Sequence, residues 1–409
     1  MKRLLILGAY YTELEIINRA KSMGFYTIVT DNHENPMLSP AKKVADEAWN
    51  ISWTDIDALC RQCVDCHVDG VITGFSESRV ESMIRICERL NLPCPLTMQQ
   101  LDITRDKNKF KRTCEKYGIP CVPEHRYDET FSFPVIVKPV DRAGSAGISV
   151  AYNRDDFEVA YQYAMSMSNS KHVIIEDFIS DGTKVDVYYY VKDGKAYLLG
   201  TSDTIMCHNS GIMQKAWPFP SKWEHQYVEE IDGKVKSMIK GIGINNAYLT
   251  ISAFYTKGHF YVFETGFRLS GEMSFNYYKA ISGIDYVEEV MRYSLGEKSD
   301  VQFVELPRNN NNKYSIILNF FAQDGTIDKI SNADIILAIP EVVDFLVYCQ
   351  EGEEIHNKGG LLKKIAMCTI CASDWDRIKD IVDQVNQLFS VMSICGKEMI
   401  YERVVRGEL

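Results

Sequence analysis

The sequence predicts an α/β chain that opens with a doubly wound parallel unit and continues into mixed α+β segments. Three observations carry that class. Residues 1 to 96 alternate β-branched runs with stretches of helical periodicity, the pattern of a parallel sheet with crossover helices. Two later hairpins turn at Asp193-Gly194 and Lys257-Gly258, dipeptides that accept positive φ. The last hundred residues return to strands and one amphipathic helix, Trp375 to Leu388, as a small closing α+β module.

In the first unit, Leu4 to Leu7 reads as a strand and Gly8 as a tight turn. Glu13 to Met23 is a helix that stops at Gly24, and Tyr26 to Thr30 is a second strand. A short strand follows Ala45 to Trp49; Ile56 to Val68 is a helix, Gly70 to Thr73 a strand, and Arg79 to Leu90 the closing helix. No G-x-G-x-x-G follows the first strand, so a dinucleotide is not expected there. Pro93 and Pro95 mark the end of the unit. A basic helix then runs to Gly118-Ile119-Pro120, where glycine and proline stop it. Val173 to Glu176 is an apolar strand ending in acids. Val185 to Lys192 with Ala196 to Thr201, and Ala247 to Tyr255 with His259 to Glu264, are the hairpins. Asn309 to Asn312 marks a loop, followed by strands around Tyr314 to Phe320, Met367 to Ala372 and Val391.

Composition narrows the partners. A net charge of -11 with mixed signs argues against a nucleic-acid surface. No apolar run reaches the length of a membrane span, and the apolar start meets Thr12, Glu13 and Glu15 too soon for a signal peptide. A cytoplasmic location with reduced cysteines is expected. Cys60, Cys63 and Cys66 lie at regular spacing before His67, but helical periodicity and the lack of a second ligand pair make them helix residues rather than a zinc site.

The stretch Phe133 to Val150, FPVIVKPVDRAGSAGISV, carries the first chemistry. Its apolar strand delivers Lys138, and the small residues Ala143, Gly144, Ser145, Ala146 and Gly147 let backbone N–H groups approach an anion closely. Three further pieces stand in a fixed order around it. Asp106-Lys107 precedes the helix ending in Gly-Ile-Pro; Val173-Ile174-Ile175-Glu176-Asp177-Phe178-Ile179 follows; Phe263-Glu264-Thr265-Gly266-Phe267-Arg268 comes last.

Taken together, the four pieces resemble the ATP-grasp superfamily, and within it the carboxylate-amine ligases such as L-amino acid ligase, with the large subunit of carbamoyl-phosphate synthase and biotin carboxylase further off. The resemblance implies an ATP-grasp fold with a pre-ATP-grasp domain over residues 1–96, an ATP-grasp domain over 97–305 with a lid about 122–190, and a C-terminal α+β module over 306–409. It implies ATP held by Lys107 and Lys138, by the backbone around Gly144, Ser145 and Gly147, and by an adenine edge at Glu176, Asp177 and Ile179. The carbonyl of Asp177 and the N–H of Ile179 would meet the base, with Lys184 near the ribose. Arg268 and Lys138 would act on the transferring phosphoryl group. Magnesium or manganese would sit at Glu264.

Three positions depart from the pattern, one of them Lys184, which stands where the family carries a ribose-binding acid, with Asp186 the nearest acid. Ser252 and Gly266 stand where the family carries further metal-ligating side chains, and Glu272 is the substitute that the sequence offers. Two functions follow. One is an ATP-dependent ligase joining a small carboxylate to an amine through an acyl-phosphate, with a homodimer as its assembly; the other is an ATP-binding module with impaired or lost catalysis, acting as a sensor or partner subunit. Asp203 to Trp217, with His208, Asn209, Ser210 and Gly211, reads as a substrate-facing loop between strands, and Tyr10 and Glu77 as residues at first-unit strand ends.

Overall fold

The structure, a computed structural model, describes residues 1–141, 147–208, 213–305, 313–357 and 361–409. The N-terminal segment forms β1 (Arg3–Leu7), α1 (Glu13–Ser22), β2 (Tyr26–Thr30), β3 (Glu47–Trp49), α2 (Ile56–Asp65), β4 (Gly70–Thr73) and α3 (Glu77–Leu90). Next come α4 (Met98–Arg105), α5 (Lys107–Lys116), β5 (Glu124–His125), β6 (Val135–Pro139), β7 (Ser149–Ala151), α6 (Arg154–Met167) and β8 (Val173–Asp177). The central segment holds β9 (Thr183–Lys192), β10 (Lys195–Asp203), β11 (Ile205–Met206), β12 (Gln214–Phe219), α7 (Glu224–Tyr227), α8 (Gly233–Ile242), β13 (Ala247–Thr256) and β14 (His259–Gly266). The remainder is α9 (Ser274–Ser282), α10 (Tyr286–Ser294), β15 (Tyr314–Ala322), β16 (Gly325–Ser331), α11 (Ala333–Leu337), β17 (Val342–Val347), β18 (Glu354–Ile355), β19 (Lys363–Ala372), α12 (Trp375–Leu388) and β20 (Ser390–Ser393). Among these helices none is long and apolar enough to cross a membrane.

The chain divides into two compact units. The first comprises residues 1–94, 199–222 and 269–409. Its N-terminal sheet is parallel with order β3-β2-β1-β4, and Leu4 to Leu7 of β1 are fully buried between the helices on its faces. Gly8 follows β1 with φ +106°, and a Cβ there would stand 2.2 Å from the Arg79 guanidinium. That room lets Arg79 reach Glu13 at 2.8 Å, so the first strand-to-helix turn is closed by an internal ion pair rather than left open for a phosphate.

The same unit contains an antiparallel sheet of order β11-β12-β15-β19-β17, covered by α12. Ile378, Ile381, Val382 and Val385 lie on one stripe of α12 and are fully buried, which is why the helical periodicity over Trp375 to Leu388 is legible. Asp203 to Trp217 differs from the loop expected. Ile205–Met206 and Gln214–Phe219 are strands, and Trp217 pairs with Ile317 of β15; Lys215, Ala216 and Trp217 are buried in succession, so both faces of β12 are covered there. Asn209, Ser210 and Gly211 lie outside the described residues.

The second unit comprises residues 95–198 and 223–268. It contains a small antiparallel sheet of order β5-β8-β6-β7 packed on α6, and a longer one in which β9 pairs with β13 and β13 with β14. Helix α5 begins at Asp106, whose carboxylate accepts from the N–H groups of Asn108 and Lys109 and thereby fixes Lys107 in the first turn.

One interior group makes the first unit's stability depend on pH. Burial pushes the Asp344 carboxyl up to about 6, with Glu15 adding to the rise and hydrogen bonds from Thr369 and Asn276 opposing it. A carboxyl raised above its ordinary value of 3.8 favours folding while protonated, and that contribution is lost as pH rises through 6. Asp344→Asn is therefore expected to raise unfolding free energy at pH 8 by about 1–3 kcal/mol, the gain disappearing near pH 4. Urea melts at the two pH values check this, and an equal gain at both would contradict it.

Candidate nucleotide site

The site grows from β8. Its alternation places Ile175 and Asp177 toward β5 in backbone pairing and Glu176 toward β6, where Glu176 stands opposite Ile136. Glu176 is only 2% exposed, and a buried carboxylate needs a cation. It has two. Lys138 at the end of β6 and Lys111 in α5 both place their ammonium groups on it, one on each carboxylate oxygen. Lys111 also donates to the carbonyl of Val122 at 3.0 Å and to Glu124 at 3.2 Å. Against the opposing pull of burial, Glu176 and Glu124 hold the Lys111 pKa above its ordinary value.

Lys107 lies one helical turn before Lys111, on the same face of α5. Burial draws its pKa below the ordinary lysine value. The charges it feels are those of Glu264, Lys138, Glu176 and Asp141, so α5, β6, β8 and β14 bring their functional groups into one electrostatic cluster. Glu264 is exposed at the end of β14. Asp141 is held by Ser168 and by the N–H of Ser170, which keeps its carboxyl below its ordinary value despite burial.

The adenine edge expected at Asp177 and Ile179 is accessible, both residues being partly exposed. The Asp177 carboxylate is turned onto His125 Nε2 at 2.6 Å, with Phe131 stacked on the imidazole. Gly147, at the foot of the glycine-rich stretch, is buried with φ +81°, and a Cβ would press on Met167 and Pro139. Close packing thus accounts for that glycine. Gly144 and Ser145 lie outside the described residues.

Three comparisons bear on this arrangement. Residues 131–275 match the family described as ATP-grasp domain. The chain carries an ATP-grasp fold. Formate-dependent phosphoribosylglycinamide formyltransferase of Trichormus variabilis is 25% identical over 263 residues, which span 59% of this chain and 64% of that enzyme. The chain therefore aligns with less than two thirds of that relative's length. L-amino acid ligase from Bacillus licheniformis superposes with a TM-score of 0.79 at 18% identity, covering 96% of this chain and 99% of the other. The biotin carboxylase domain of Hydrogenobacter thermophilus 2-oxoglutarate carboxylase, in complex with MgADP, ADP and bicarbonate, gives 0.79 at 18% identity over 97% and 91%.

Against the ATP-grasp pattern, the long sheet shows what became of the departing positions. Asp186 on β9, Ser252 on β13 and Glu264 on β14 stand in register across three strands. The Ser252 hydroxyl donates to Asp186 at 2.5 Å, and Lys184 donates to the other Asp186 oxygen at 2.7 Å. Asp186 is thus neutralised from within, and Lys184 is tied to it. Gly266 pairs with Thr250 and contributes no ligand atom. Glu264 remains the exposed carboxylate of the row. One carboxylate suits a magnesium ion that keeps most of its shell as water and phosphate oxygens.

Glu272 belongs to the other unit, where Ser274 donates to it at 3.3 Å and its charge acts on Lys364. Lys364 donates to the carbonyl of Gly271 at 3.1 Å, and burial draws it down to about 8 while Glu272 opposes the fall. Arg268 ends the second unit, two residues beyond β14. Among the described residues, His208, Glu402 and Glu408 also gather three donor groups, but Lys215 already pairs with both carboxylates. Lys111 is the participant that sequence reasoning missed. Its signal was the four-residue step from Lys107 on the face that also holds Cys114.

Removing Glu176 would leave two buried ammonium groups facing each other. Glu176→Ala is expected to lower unfolding free energy by about 3–5 kcal/mol in urea melts, and adding Lys111→Met should restore part of the loss. A change below about 1 kcal/mol would contradict the shared pairing.

Proposed function

We propose that this chain is an ATP-dependent ligase that joins a small carboxylate to an amine. The observation that carries the reading is the gathering of the charges of Lys107, Lys138 and Glu264, with Lys138 paired to Ile174 on the same strand that carries the partly exposed Asp177. In this reading a substrate carboxylate oxygen attacks the γ-phosphorus, the bond to the β,γ-bridging oxygen breaks, and ADP leaves. The amine nitrogen then attacks the acyl carbon, the bond to the phosphate oxygen breaks, and the amine proton passes to solvent. No protein nucleophile is needed; Lys107, Lys138 and Arg268 hold the phosphate oxygens in place and spread their charge. A bound magnesium or manganese ion, held by Glu264, would supply further charge neutralisation.

Residues 97–305 carry the nucleotide in this reading, with 122–190 as its lid, Gly144, Ser145 and Gly147 over the phosphates, Glu176, Asp177 and Ile179 at the base and Lys184 near the ribose. Residues 1–96 and 306–409 make up the other two domains, and Glu272 is the substitute metal-binding residue of this reading. A homodimer in the cytoplasm completes it. A second reading, an ATP-binding module without ligation, is favoured by the commitment of Ser252 to Asp186 and by Gly266. Release of ADP on adding magnesium, ATP, a carboxylate pool and an amine pool tests the ligase; ATP binding with no ADP formed would leave the binding module. Lys138→Ala is expected to weaken ATP binding about tenfold or more by calorimetry, since charge-assisted phosphate contacts are worth about 1.5–3 kcal/mol each. Unchanged affinity would remove Lys138 from the phosphate site.

A further inference from the structure

The edge of β8 that faces β5 has an interruption at one residue. The Asp177 N–H donates to the carbonyl of Pro123 at 3.1 Å, and the register places Glu124 opposite Glu176 and His125 opposite Ile175. Pro123 and Asp177 are therefore a pair that would, in a regular antiparallel ladder, exchange both bonds. Proline has no N–H. The return bond to the Asp177 carbonyl cannot form, and that oxygen stays open on the strand edge.

The other edge of β8 cannot take it up. The Phe178 N–H donates to the carbonyl of Pro134 at 3.1 Å, so residues 176 and 178 serve β6 while 175 and 177 serve β5. Phe178 still pairs with β6, and an extended backbone carried one residue further turns the Ile179 N–H to the side of the Asp177 carbonyl; that N–H donates to no backbone carbonyl among the described residues. Pro123 and Asp177 are respectively exposed and partly exposed, so the edge is reachable. With the Asp177 carboxylate drawn onto His125, the backbone supplies the chemistry: an acceptor and a donor, two residues apart, on one edge.

We infer that Pro123 is the residue that sets the base preference of the nucleotide site, by ending the β5–β8 ladder and leaving the Asp177 carbonyl free for an exocyclic amino group. This rests on the ATP-binding reading above. Adenine presents an amino donor beside a ring-nitrogen acceptor, which complements a carbonyl followed by an N–H. Guanine presents a carbonyl and a ring N–H at the same two places, which sets acceptor against acceptor and donor against donor. Pro123 touches neither base nor phosphate and is a positioning residue. An N–H at position 123 would engage the carbonyl from within the sheet and weaken both the attraction for adenine and the repulsion of guanine.

The test is calorimetric titration of wild-type protein, Pro123→Ala and Pro123→Gly with ATP and with GTP, using urea melts to confirm that each variant is folded. Both variants restore an N–H and should behave alike. Affinity for ATP is expected to fall about three- to tenfold, the range of one hydrogen bond, while affinity for GTP is unchanged or rises. Equal losses for both nucleotides would reduce Pro123 to a structural role and overturn the inference, as would unchanged ATP affinity. Wild-type protein that binds no ATP would instead overturn the nucleotide reading itself. Should either variant fail to fold, the amide hydrogen exchange of Ile179 in wild-type protein decides: protection gained on adding ATP supports the edge, and none overturns it.

Discussion

A single buried carboxylate organises the second unit. Glu176 binds two lysines from two different elements, Lys138 from β6 and Lys111 from α5, and each of the three is at most 6% exposed. An isolated ammonium or carboxylate could not be buried at such a place, and a one-to-one pair would leave no net charge. Two cations on one anion leave a surplus of one positive charge. Glu124 beside Lys111 offsets that surplus, and Lys107, a turn before Lys111, is set among Glu264 and Asp141 as well as Glu176, so the cluster offers phosphate individual ammonium groups rather than an excess of positive charge.

This arrangement also explains why helix α5 must start where it does. Asp106 caps the helix, and the cap fixes the rotation that aims Lys107 and Lys111 along one face. Glycine and proline at 118 and 120 then turn the chain into the bridge between Cys121 and Val262, which ties the helix to β14 and hence to Glu264. On the long sheet the reverse has happened: Asp186, Ser252 and Lys184 satisfy one another, and the carboxylate row that could serve a metal is thinned to Glu264.

Much of this was legible in the residues. The parallel unit follows from alternation, the hairpins from Asp193-Gly194 and Lys257-Gly258, and the final helix from the stripe that ends in Val385. The cluster of Lys107 with Lys138 and Glu264 was reached through resemblance rather than pattern, because long-range pairing leaves no periodic trace. Lys111 was hidden for a related reason: in a segment that also carries the exposed Lys109 and Arg112, charge alone suggests a solvated face, and only the partner on β8 reverses that. Asp203 to Trp217 reads as a loop because His208 and Gly211 interrupt it, yet the strand at Gln214 to Phe219 gains its place from β15, a hundred residues later. Neither partner can be seen from the local sequence.

The measurement that bears most directly on the account is a crystal structure of the protein soaked with magnesium and a non-hydrolysable ATP analogue. The account predicts phosphate oxygens within hydrogen-bond distance of Lys107 and Lys138, the adenine amino group on the Asp177 carbonyl, and one metal ion reached by Glu264. A nucleotide bound elsewhere, with Lys138 still held on Glu176 alone, would contradict it.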